Sequence, residues 1–132
     1  MGTLILDASV LTGLLDSADA HHARAVDDVE RADQAGDALL VPASAHSEAL
    51  VAFARAGRLP EARDTIAAMG IAITPLTAAI AERAAAARVI HGGLRLPDAI
   101  VLACAQELDC ELLTYDERLA RISRQRTTER EH

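Results

Sequence analysis

The chain has 132 residues, 51% of them hydrophobic and 25% charged, which fits one ordinary domain with a sizeable core and excludes two. Its formal net charge is -7, so broad non-specific binding to phosphate is not its leading property. All 13 basic residues are Arg, which excludes a P-loop lysine, a Schiff-base lysine and a receiver-domain lysine. Phe53 and Tyr115 are the only aromatic residues of the Phe, Tyr and Trp class, too few for a base-stacking platform. Cys104 and Cys110 cannot form a disulfide framework and suit a reducing compartment.

The first residues lack a basic segment, and Asp7 interrupts their apolar run, which argues against a signal peptide. Ala99–Ala105 is the strongest apolar stretch and is too short to span a bilayer. A cytoplasmic protein with no membrane association is expected.

Four short β-type runs stand out, 3–6, 38–41, 71–74 and 111–114, with long Ala-rich stretches between them. Strands that alternate with helices predict a parallel sheet covered by helices on both faces. A helix capped by Ser17 or Asp19 is expected to run to about residue 35, with Gly36 as its stop. The next opens at 42–44 and ends at Gly57. A shorter one covers 60–69 before Gly70. Thr77 caps an expected helix to Ile90, ended by Gly92 and Gly93. Pro97 suits the first turn of a helix to about 108, apolar all round from Ala99 to Ala105 and therefore buried. The predicted domain is 1–121. Residues 122–132 read as a polar tail, flexible or a frayed helix.

Four carboxylates stand where a surface explanation is weak. Asp7 ends the first strand and Asp116 follows the last. Sites in open parallel sheets form beyond the carboxyl ends of the strands. Glu48 lies a turn or two into the helix that leaves the second strand, among apolar neighbours. Asp98 sits in the first turn of the buried helix, where the helix dipole favours its charged form. The link from His91 to Pro97 can reach roughly 23 Å, enough to return Asp98 to the same edge. Taken singly, each acid is better explained as a turn residue, cap or solvated charge. Taken together, they argue for a cation site. Oxygen-only ligands suit Mg²⁺ or Mn²⁺, and such sites act on phosphate esters. Ser9 and Thr114, each two residues from an acid, can orient a carboxylate, a water or a phosphate.

Leu4–Ser9, Ser47–Leu50, Leu96–Ala105 and Leu113–Leu119 together resemble the PIN domain family, most closely the toxin ribonucleases of VapBC toxin–antitoxin pairs. The resemblance spans Thr3 to about Ala120. It implies a three-layer α/β/α sandwich with a short central parallel sheet. It implies metal-dependent endoribonuclease activity on single-stranded RNA, with Asp7, Glu48, Asp98 and Asp116 holding Mg²⁺ or Mn²⁺. A homodimer and a cognate antitoxin that blocks the site are implied as partners. The chain departs from the family in two places. It turns polar at Ser123, where a short apolar fifth strand is common, and Leu119 replaces a common aromatic.

Among other residues, Cys104 and Cys110 read as small core residues. His21 and His22 read as a solvated helix start, and His46 points away from Glu48. Arg95, Arg118 and Arg121 are candidate contacts for RNA phosphates. Two competing classes stay open. One is a catalytically silent PIN-like module that binds RNA or protein. The other is a small-molecule phosphohydrolase, disfavoured because Ser9 replaces the second Asp of an Asp-x-Asp motif and Lys is absent.

Overall fold

The structure is a computed structural model that describes residues 2–131, and the side chains of residues 2–125. Strands β1 (Thr3–Leu6), β2 (Ala38–Pro42), β3 (Ile71–Thr74) and β4 (Glu111–Leu113) form one parallel sheet in the order β3-β2-β1-β4. All four expected runs are strands. Ile5 stands opposite Leu40 on one side and Leu112 on the other, which makes β1 a central, buried strand. Central parallel strands are covered on both faces, and Ile5 and Leu6 are fully buried accordingly.

The connecting helices are α1 (Ala8–Leu15), α2 (His22–Gln34), α3 (Ala43–Arg55), α4 (Leu59–Ala68), α5 (Ala78–Ile90), α6 (Leu96–Glu107) and α7 (Glu117–Glu131). The chain steps outward from β1 through β2 to β3, then crosses back to lay β4 on the far side of β1. Right-handed crossovers therefore place α1–α4 on one face and α5–α6 on the other. Thr77 caps α5 as expected, its side chain accepting from the Ile80 amide. Helix α6 buries every residue from Ala99 to Ala105, again as its composition predicts. Gly57 and Gly70 end α3 and α4 with φ of 68° and 73°, the left-handed conformation that glycine adopts without penalty.

Two sequence expectations need correction. The first is an omission, α1, which follows β1 directly. Ser9, Val10, Thr12 and Gly13 have modest helix propensity, and packing of Val10, Leu11 and Leu14 outweighs it. Second, α2 begins at His22, later than a Ser17 or Asp19 cap requires. Asp19 instead accepts from the His21 amide in a turn. Helix α7 runs on past residue 121, in keeping with the helical alternative for 122–132, and Ile122 is buried. The expectation of flexibility over 122–132 falls, from residue 126 onward, on side chains outside the described residues. Among the described residues no fifth strand follows β4, which remains a sheet edge.

Helices α1 and α2 approach closely at Gly13. A Cβ there would sit 3.1 Å from the Ala25 Cβ and 3.4 Å from the His21 carbonyl oxygen. Gly13→Val should therefore overpack this contact and lower unfolding stability by about 1–3 kcal/mol in a urea titration. An unchanged midpoint would show that the two helices separate freely.

Candidate active site

The site begins with Asp7, at the carboxyl end of β1 and the N-cap of α1. Its Oδ1 accepts from the Ser9 hydroxyl at 2.6 Å and the Val10 amide at 3.1 Å. Its Oδ2 accepts from the Thr114 hydroxyl, which arrives from the end of β4. The Asp7 amide donates to the Leu113 carbonyl at 3.3 Å and so extends the β1–β4 ladder. Asp7 is only 5% exposed. Burial raises its pKa, and the donors from Ser9, Thr114 and the backbone oppose that rise.

The Ser9 and Thr114 hydroxyls thus both donate to Asp7. Each is a relay as well as a donor. The Ser9 hydroxyl oxygen accepts from the Tyr115 amide at 3.1 Å, and that of Thr114 accepts from the Asp116 amide at 3.1 Å. Asp116 in turn caps α7, accepting from the Leu119 amide at 2.8 Å. The cap reading of Asp7 and Asp116 is thus correct, and it coexists with their place in a shared cavity.

That cavity measures about 330 Å³, and all four predicted acids, Asp7, Glu48, Asp98 and Asp116, contribute to its wall. Asp98 reaches it from the first turn of α6, as the long link before Pro97 allows. Burial raises the Asp98 pKa. Arg95 lowers it, while Asp116, Asp7 and Glu48 each push it up. Repulsion from three other carboxylates at one residue is the electrostatic signature of convergence. Three of the acids sit at the N-terminal ends of α1, α6 and α7, whose dipoles offset part of that repulsion.

Arg95 supplies the other countercharge. Its guanidinium donates to Glu48 Oε1 at 3.0 Å, inside the same cavity wall. Glu48 is exposed and held by this pair, unlike buried Asp7. Arg118 turns elsewhere and donates to the Gly92 carbonyl at 2.7 Å. Arg121 lines an adjoining groove with Arg24 and Tyr115.

His21 corrects the expectation of a solvated helix start. It is half-buried, lines both the cavity and the groove, and lies 4.8 Å from the Tyr115 ring. Thr12 and Asp19 also reach the cavity wall. Their placement depends on α1, which the sequence pattern does not announce. Cys104 is buried, and burial pushes its thiol up to about 11, so it is no nucleophile at neutral pH.

The donor set is all oxygen, the chemistry that Mg²⁺ and Mn²⁺ prefer. Among the described residues, no three His, Cys, Asp or Glu side chains are already gathered tightly enough to form a complete ligand shell. Mg²⁺ usually keeps several waters and takes only one or two carboxylates directly. A cavity of this volume, walled by four acids, fits that mode of binding. Replacing Thr114, which is buried, by Val strips the donor from Asp7 Oδ2 and the acceptor from the Asp116 amide. Chemical denaturation should show a loss of about 1–3 kcal/mol. Wild-type stability in that variant would mean the relay does not hold the strand ends.

Comparison with known proteins adds the lineage. No curated protein matches the sequence. Among solved structures, the sarcin–ricin loop cleaving toxin VapC20 of Mycobacterium tuberculosis is similar, with 17% identity, 90% of this chain and 94% of that one covered, and a TM-score of 0.70. A toxin–antitoxin complex from Klebsiella pneumoniae shares 26% identity over 86% of each chain, with a TM-score of 0.66. VapBC2 from Rickettsia felis, bound to a DNA fragment from its promoter, shares 10% identity, covers 91% of this chain and 92% of that one, and has a TM-score of 0.69. The PIN domain family matches residues 4–125. With that match over nearly its whole length, the chain belongs to the PIN domain family.

Proposed function

We propose that this chain is a Mg²⁺- or Mn²⁺-dependent endoribonuclease and the toxin of a type II toxin–antitoxin pair. The observation that carries the reading is the convergence of Asp7, Glu48, Asp98 and Asp116 on one cavity at the carboxyl edge of the sheet. Family membership and the likeness to toxin–antitoxin structures support it.

Bound here, Mg²⁺ or Mn²⁺ would supply positive charge to a phosphoryl oxygen and acidify an attacking water. Asp7 and Asp98 would be the central ligands, with Asp116 a further one. Glu48 is a ligand or the proton acceptor for the attacking water. It is exposed and paired with Arg95, and in this reading it exchanges that partner for the proton of the water. Arg95, released from Glu48, meets a phosphate of the scissile strand. Ser9 and Thr114 keep the Asp7 carboxylate fixed throughout.

The partners of this reading are single-stranded RNA, a cognate antitoxin that closes the site, and a second copy of the chain. No described helix is long and apolar enough to cross a membrane. The reading places the protein in the cytoplasm, where its substrate is.

A second reading, a PIN-like module without turnover, takes its support from the Arg95–Glu48 pair already occupying the cavity wall. Two experiments separate the two. EDTA should stop cleavage of total RNA by the purified protein, and added Mg²⁺ or Mn²⁺ should restore it. Asp7→Asn should abolish cleavage while the protein stays folded, because an Asn oxygen can still accept from the Val10 amide at the start of α1. A folded Asp7→Asn protein that cuts RNA at the wild-type rate would falsify the assignment. RNA binding with no metal-dependent cleavage would favour the silent module.

A further inference from the structure

A second depression, about 510 Å³, adjoins the carboxylate cavity and shares His21 and Asp116 with it. Its chemistry is different. Arg24 from α2 and Arg121 from α7 face it, both exposed. Tyr115 stands between the two elements as a post. The Arg24 guanidinium lies 4.4 Å from the Tyr115 ring centroid, and the His21 ring lies 4.8 Å away at 33°. The Tyr115 hydroxyl donates to Asp28 Oδ2 at 2.9 Å, and Arg24 Nε lies 3.9 Å from the same oxygen. The tyrosine is thereby fixed, and it holds Arg24 and His21 in place.

Resting on the ribonuclease reading above, we propose that this groove is the track for phosphates of single-stranded RNA flanking the scissile one. Arg24 and Arg121 are its phosphate-binding residues, and Tyr115 is a positioning residue. Guanidinium groups match phosphate oxygens in geometry as well as charge. The one tyrosine is already engaged by two side chains, so the groove grips the backbone and does not stack bases. Continuity with the cavity lets one strand occupy both. Asp116 and Glu117 line the groove as well, and Asp116 belongs to the cavity end, where a cation is needed. This local pairing of arginines also explains how a chain of net charge -7 can hold a polyanion without a basic face.

The test uses the whole protein and a fluorescently labelled single-stranded RNA of mixed sequence, in EDTA so that the RNA stays intact. Arg121→Glu and Arg24→Gln should each weaken binding about tenfold and flatten the slope of log affinity against log salt by about 0.7 per arginine lost. Arg55→Glu, a charge-matched change on an exposed helix position outside both depressions, should leave binding near wild type. With Mg²⁺ present, Arg121→Glu should raise KM for RNA cleavage and leave kcat little changed. Equal affinity and salt slope in the groove variants and the wild type, with cleavage intact, overturns the groove and spares the ribonuclease reading. A wild-type protein that neither binds nor cuts RNA sinks both. Polyglutamate that displaces the RNA at matched charge, and loses its own binding in the same variants, assigns the groove to an acidic protein segment and overturns the proposal.

Discussion

The hydroxyl of Thr114 ties together two strand ends that lie 107 residues apart. Everything at the site depends on that adjacency. It exists because the chain, having built β2 and β3 on one side of β1, returns to place β4 on the other. In open parallel sheets a crevice forms where the strand order reverses. Here the reversal brings Asp7 and Asp116 to one crevice, and the Ser9 and Thr114 hydroxyls join their loops into a single hydrogen-bonded unit.

The same convergence is costly. Four carboxylates share a cavity wall, and one of them is nearly out of water. Helix N-termini, two hydroxyls and Arg95 soften the repulsion without cancelling it. Active sites commonly hold such strain in place of stability, because the charge pattern serves a ligand and not the fold. A divalent cation, as proposed above, would offset the charge of these acids.

Much of this was legible in the sequence. The four strands stand out by β-branched and leucine-rich runs between Ala-rich helices, and strand-end logic alone places Asp7 and Asp116 on one edge. Pro97 and the all-apolar turn after it locate Asp98. Helix α1 was not legible, because Gly13 and its β-branched neighbours are weak helix formers that packing overrides. Without α1, the turn carrying Asp19 and His21 cannot be placed over the cavity, and Arg24 looks like any solvated charge. Proximity in sequence also misleads for arginines. Arg118, two residues from Asp116, turns to the Gly92 carbonyl, while Arg24 and Tyr115, far apart in the chain, meet face to face.

The central claim is that these acids share a divalent ion, and diffraction tests it most directly. Crystals of the wild-type protein grown or soaked with Mn²⁺, at a concentration that supports RNA cleavage, should give an anomalous peak between Asp7 and Asp98 with Asp116 alongside. Asp7→Asn crystals treated identically should lack the peak. A wild-type crystal with Mn²⁺ bound elsewhere, and no anomalous signal among these carboxylates, would contradict the account.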